Sequence, residues 1–275
     1  MQGFAERVLT AIIFVVVMVG GVYLHPISLI ALFLLITVMC LWEYLNLTLI
    51  KDNNGRKWIG LGLGLFPFLL TAFYNLPSYE TSPNFLYNGV LLFLPLVALS
   101  LVYELYTSSE KPFTNIGVLS LGVFYIGIPL ALVPMIAFRP GSFHPNIIFG
   151  LLLLTWANDT GAYLIGSQIG RTKLFPRISP KKTWEGSLGG VVVAFMAAYL
   201  LSMVFKDLAL KDWLVLALLV SIFGSIGDLV ESMLKRSLNI KDSGNLLPGH
   251  GGMLDRFDAF LFLLPFAAAY LLWIS

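Results

Sequence analysis

With 58% hydrophobic and only 12% charged residues over 275 positions and a mean hydropathy of +0.86, the chain falls far outside the composition of a water-soluble globular domain. A net charge of +2 is too small to argue for a nucleic-acid partner, and the single cysteine, Cys40, lies in an apolar run, which excludes an internal disulfide framework. What remains is an all-α, polytopic membrane protein. A hydrocarbon core of about 30 Å takes roughly 20 apolar residues per helix, so the length accommodates about nine spans with short loops.

Apolar runs predict spans near 8–24, 28–49, 59–76, 88–106, 116–138, 147–169, 184–205, 213–234 and 254–274. Arg7 ahead of the first run imitates a secretory signal. It is read as the start of a span, because no small-residue cleavage site follows and a second apolar run begins almost at once. Breakers separate the runs: His25-Pro26, Asp52-Asn53-Asn54-Gly55, Pro77 to Pro83, Lys111-Pro112 and Arg139-Pro140-Gly141, then two longer polar segments at 170–183 and 235–253. With the N-terminus inside, 14 of the 17 lysines and arginines fall on the inner side and three, Arg139, Lys206 and Lys211, on the outer. That asymmetry sets the orientation and leaves the C-terminus outside, with both long polar segments facing the cytoplasm. Glycines four apart, Gly60/Gly64, Gly166/Gly170 and Gly186/Gly190, allow close helix approach and are read as packing within the chain rather than as a dimer seam. Residues 1–145 are expected to form a packing or dimerisation region and 146–275 the catalytic region.

The spans differ in what they carry. Glu43 and Glu104 are the two carboxylates at depth in the first five, and both are read as structural, so that replacing Glu43 should matter little to chemistry. The last four hold many more. Asp159 sits near the middle of span six, Asp228 and Glu231 stand three apart on one face of span eight, and span nine opens with Asp255, Arg256 and Asp258. A lone carboxylate in hydrocarbon costs about 2.5–3.5 kcal/mol on insertion scales, so these groups must face one another, a cation or water. Asp228 and Asp255 fall in the same half of neighbouring antiparallel helices and suit a hard divalent cation, which takes oxygen ligands. The competing reading is burial as ion pairs with Lys235, Arg236 or Arg256.

Two segments offer to hold phosphates. Pro248-Gly249-His250-Gly251-Gly252 precedes span nine, where glycines would let backbone N–H groups and a helix N-terminus approach an anion. Lys235, Arg236 and Lys241 add charge nearby. Ser179-Pro180-Lys181-Lys182-Thr183-Trp184-Glu185-Gly186 reads as an N-cap with proline at the first helical position, aiming Lys181 and Lys182 at the headgroup layer, where a lipid phosphate lies. An interfacial anchor of lysines and tryptophan is the plainer alternative. In span six, Asn158, Asp159 and Thr160 point around the helix, so at most two of them face one cavity.

Ser232-Met233-Leu234-Lys235-Arg236, Lys241-Asp242-Ser243-Gly244 and Leu247-Pro248-Gly249-His250-Gly251-Gly252-Met253-Leu254-Asp255-Arg256-Phe257-Asp258 resemble the signature of phosphatidate cytidylyltransferases without departure over 232–258. The stretches 158–163 and 179–186 resemble that family too, and the likeness is read over about 150–275, with 1–145 similar in hydropathy alone. The resemblance implies a magnesium-dependent, usually dimeric enzyme of the prokaryotic cytoplasmic membrane, making CDP-diacylglycerol from CTP and phosphatidic acid. Carried onto this chain, it implies magnesium at Asp228 and Asp255, with Asp258 and Asp159 next. Lys235, Arg236, Lys241 and the Gly251-Gly252 turn would neutralise the triphosphate, Lys181 and Lys182 would take the lipid phosphate, and His250, Arg256 and Asn158 would bind substrate. A second, monovalent cation such as K+ beside the same carboxylates stays open. The rivals are a CTP-dependent lipid kinase and, in another class, an ion or metabolite transporter.

Overall fold

The computed structural model describes residues 2–49, 54–76, 82, 84–107, 109–139, 142–244 and 251–274, with side chains from position 8 onward. A helix stands over every predicted span. Among the described residues eight helices are long and apolar enough to cross a membrane, and a shorter apolar helix covers Val8–Tyr23. The protein is an all-α, polytopic membrane protein. It divides into two compact units, Met1–Phe138 with Ser243–Leu254, and Arg139–Asp242 with Asp255–Ser275. Against an expected division at 145, the boundary falls after Phe138, and a stretch of the signature, Ser243–Leu254, belongs to the first unit.

The first unit holds α1 (Gln2–Tyr23), α2 (Pro26–Thr48), α3 (Asn54–Asn75), α4 (Phe85–Tyr106), α5 (Pro112–Gly122) and α6 (Ile128–Ala137), the last two joined through a π-helical turn, Val123–Gly127. The start of α2 follows from His25-Pro26: proline takes the first helical position while His25 Nδ1 accepts the Ile27 N–H at 3.1 Å. Helix α3 begins well before its predicted span because Arg56 is buried in an ion pair with Glu104 instead of being solvated. Asn115 adds a hydrogen bond of 3.2 Å to the same carboxylate. Glu104 is thus neutralised where it lies. Where α3 passes the π-helical turn, a Cβ on Gly127 would lie 2.3 Å from the Gly64 carbonyl oxygen, so these backbones touch.

The second unit holds α7 (Pro145–Ile169), a hairpin of β1 (Lys173–Phe175) and β2 (Ser179–Thr183), α8 (Trp184–Val204), α9 (Leu210–Leu219), a π-helical turn at Val220–Gly224, α10 (Ser225–Ser237) and most of α11 (Leu254–Trp273). The hairpin corrects the reading of Ser179-Pro180 as a helix start. Ser179 and Thr183 pair with Phe175 and Lys173 across an antiparallel ladder. The cap is Thr183, extended at φ −130° and ψ 154°, whose hydroxyl accepts the Gly186 N–H at 3.2 Å. Glu185 then accepts the N–H groups of Arg171 and Thr172 at 3.1 Å, closing the hairpin onto α8.

Small residues decide the α7–α8 contact. A Cβ on Gly186 would meet the Ala162 carbonyl at 2.9 Å, and one on Gly190 the Asn158 carbonyl at 2.8 Å. The glycines singled out by spacing therefore serve packing inside the chain. Gly127→Ala, which sets a methyl against backbone, is expected to destabilise the detergent-solubilised protein by about 1–3 kcal/mol. Gly62, with nothing within 4 Å, gives the control: Gly62→Ala should be neutral or gain up to about 1 kcal/mol. Thermal unfolding of the two variants checks both.

Candidate functional site

The site is built where α10 meets α11 in the second unit. Gly227 makes that meeting close: a Cβ there would lie 2.7 Å from the Asp258 carbonyl oxygen and 3.0 Å from the Ala259 Cα. The next residue is Asp228, and Glu231 follows one turn on, on the same face. Three carboxylates result, from Asp228, Glu231 and Asp258, each with an oxygen within 4.8 Å of the others. Glu231 is the most enclosed, with 1% of its surface exposed, and neither of its oxygens has hydrogen-bond geometry to a partner. Asp228 and Asp258 are half-buried.

Two lysines offset part of this charge. Lys182 Nζ lies 2.6 Å from Asp228 Oδ2 and donates to the Ser225 carbonyl at 3.2 Å. Lys235 pairs with Glu231 one turn away and also reaches Asp255 Oδ1 at 2.7 Å. Lys235 is therefore held among carboxylates, and Asp255 joins the cluster through it. A donor set of carboxylate oxygens, closely spaced, partly desolvated and more negative than its two lysines offset, fits a hard divalent cation such as magnesium. It does not fit a soft or thiolate-seeking metal.

Asp228 also faces a cavity of about 560 Å³. Asn158, Asp159, Tyr163 and Gly166 of α7 line it, with Ser179, Lys181 and Lys182 of the hairpin and Ser225 and Asp228 of α10. Asn158 and Asp159 line it and Thr160 does not, which agrees with the helical geometry of that polar notch. Lys181 is exposed and Lys182 half-buried at its edge. The hairpin, rather than a helix start, is what carries both lysines to the cavity.

The remaining expected site residues are not among those lining this cavity. Arg236, Lys241 and Arg256 are exposed, and Arg236 donates to the Ile240 carbonyl at 3.1 Å, tying down the end of α10. His250 lies outside the described residues. Gly251 has φ of 84°, a left-handed conformation that glycine adopts freely. Gly252 is buried, and its lack of a side chain answers to a neighbour: a Cβ would stand 2.5 Å from Glu43 Oε2. Sequence reasoning left Glu231 off the ligand set, although its place one turn from Asp228 was visible.

Comparison with known proteins bears on the whole chain. A family model described as the cytidylyltransferase family matches residues 5–274. The phosphatidate cytidylyltransferase of Bacillus subtilis strain 168 is 35% identical over 267 residues, 97% of each chain. That of Staphylococcus haemolyticus is 36% identical over 264 residues, 94% of this chain and 95% of the other. The likeness thus reaches through residues 1–145 as well, which similarity of hydropathy alone did not reveal.

Lys235→Met tests the electrostatics of the cluster. It leaves Glu231 and Asp255 without their shared cation, and a cost of about 3–5 kcal/mol is expected, read as a fall in melting temperature. Most of that loss should be recovered at low pH, where a protonated carboxyl needs no counter-charge.

Proposed function

The chain belongs to the cytidylyltransferase family, and on that premise we propose that the site around Asp228 transfers the cytidylyl group of CTP to phosphatidic acid, releasing pyrophosphate and CDP-diacylglycerol. It is a nucleotidyltransferase of phospholipid biosynthesis. The observation that carries the site assignment is the double position of Asp228, in the three-carboxylate cluster and in the cavity wall beside Lys182.

In this reaction an oxygen of the lipid phosphate bonds to the α-phosphorus of CTP. The bond from that phosphorus to the α,β-bridging oxygen breaks, and pyrophosphate takes the electron pair. The nucleophile is already anionic, so no side chain has to accept a proton and no covalent enzyme intermediate is required. The chain has to align two polyanions and neutralise them. Lys182, braced by Asp228 and the Ser225 carbonyl, and the exposed Lys181 would receive the lipid phosphate, with Asn158 and Ser179 as neutral polar groups of the same wall. Arg236, Lys241, Arg256, His250 and Gly251 are assigned to CTP by their place in the signature.

Asp228, Glu231 and Asp258 would hold magnesium, with Asp159 on the cavity wall and Asp255 linked through Lys235. When bound, the ion would offset phosphate charge and help fix the geometry of in-line displacement. Electrostatics favours this reading, because a wall bearing Asp159 and Asp228 repels phosphate unless cations outnumber those carboxylates. The same reading takes the protein as a homodimer of the cytoplasmic membrane with the carboxylates on the cytoplasmic side. The distribution of lysine and arginine supports the orientation, and family likeness supports the dimer.

CTP labelled at the α-phosphate, supplied with phosphatidic acid, should put label into the lipid. Label confined to soluble CDP would indicate a lipid kinase instead. Asp228→Asn and Asp258→Asn should each lower turnover by about 1,000-fold or more, as loss of a principal electrostatic group does. Gly227→Ala, which pushes α10 from α11 and spreads the carboxylates, should lower it about 100-fold. Near-normal rates in the two aspartate variants would refute the assignment.

A further inference from the structure

Glu43, near the C-terminal end of α2, is 5% exposed. Its carboxylate serves Ser243, Met253 and Leu254 of the same unit. Oε1 accepts the Met253 N–H at 2.9 Å, while Oε2 accepts the Leu254 N–H at 2.8 Å and the Ser243 hydroxyl at 3.2 Å. Leu254 is the first residue of α11, so two of these donors are N–H groups that a helix start cannot satisfy by itself. A carboxylate is the favoured partner there, since it also meets the positive end of the helix dipole.

Gly244 and Gly252 leave room for this side chain. A Cβ on Gly244 would come within 2.7 Å of Glu43 Oε1. One on Gly252 would come within 2.2 Å of the Ser243 hydroxyl and 2.5 Å of Glu43 Oε2. Gly252, of the stretch read as a phosphate cradle, and Gly244, of the signature before it, are thus needed, on steric grounds, to admit Glu43. Three residues of the signature, Ser243, Gly244 and Gly252, owe their identity to one carboxylate some 200 residues upstream.

We infer that Glu43 is a positioning residue for cytidylyl transfer: it ties Ser243 to Met253 and Leu254 and so fixes the start of α11, one residue before Asp255 and four before Asp258. The inference rests on the proposed role of those aspartates. Its chemical requirement is specific. Met253 and Leu254 donate to different oxygens, so both must be acceptors. Glutamine supplies one acceptor and turns an NH2 group against an N–H. Aspartate keeps two acceptors but falls short by a methylene.

The experiment uses the full chain in detergent, comparing wild type, Glu43→Gln, Glu43→Asp and Ser243→Ala by hydrogen exchange and by steady-state kinetics with CTP and phosphatidic acid. In Glu43→Gln the amides of the peptide spanning Met253 and Leu254 should exchange about 10-fold faster or more, and kcat should fall at least about 10-fold, as expected for loss of hydrogen bonds to a charged group. Glu43→Asp should recover part of both, and Ser243→Ala should change each by less than about 3-fold, since both backbone bonds stay. Wild-type exchange and turnover in Glu43→Gln would overturn the inference. So would faster exchange spread evenly over α2 and the rest of the chain, which marks a merely structural role. Asp228→Asn separates the two readings: it should abolish turnover while leaving exchange at Met253 and Leu254 unchanged. If Asp228→Asn stays active, the cation assignment fails while Glu43 is still judged by its own variants.

Discussion

A carboxylate placed among apolar helices must be neutralised where it stands, and the structure is organised around the ways this is done. Glu104 is met by Arg56, Asp212 by the Tyr270 hydroxyl at 2.7 Å and the Ala209 N–H at 3.2 Å, and Glu43 by backbone N–H groups. Each of these is closed and quiet. The group on α10 and α11 is different. Lys182 holds Asp228, and Lys235 is shared between Glu231 and Asp255, so the cluster of Asp228, Glu231 and Asp258 keeps more negative than positive charge. Such an excess is costly in a low-dielectric setting, and a hard cation of the kind proposed for this site would relieve it.

Close backbone contact is the second requirement, and glycine meets it. Gly227 lets α10 approach α11 so that carboxylates on two helices share one space, while Gly186 and Gly190 bring α8 against α7 and so set the wall that carries Asn158 and Asp159. The hairpin of β1 and β2 completes that wall. Lys181 and Lys182 reach the cavity because Thr183 and Glu185 lock the strand end to α8. Packing, in this protein, is how the charges acquire their geometry.

Much of this was legible in the sequence because its causes are local. Apolar run length marks spans, and the spacing of Asp228 and Glu231 follows from helical period. The features that escaped depend on pairing and geometry that the residue types alone do not mark. Ser179-Pro180 carries the same local signal in a helix start and in an edge strand, and only the pairing with Phe175 and Lys173 decides between them. Glu43 looked like a buried structural acid because its hydrogen-bond partners lie 200 to 211 positions away. Gly252 looked like a phosphate contact because a flexible turn and a steric gap leave the same residue in the sequence. The π-helical turns at Val123–Gly127 and Val220–Gly224, the second leading directly into α10, have no clear sequence mark.

The central claim is that Asp228, Glu231 and Asp258 act together as one cation site. Titration of the purified protein with Mn2+, a spectroscopic stand-in for Mg2+, followed by electron paramagnetic resonance, measures this without reference to turnover. The account predicts saturable binding in the wild type that Mg2+ displaces and that the double variant Asp228→Asn/Asp258→Asn loses by at least about 10-fold in affinity. Equal binding in the double variant and the wild type would contradict it.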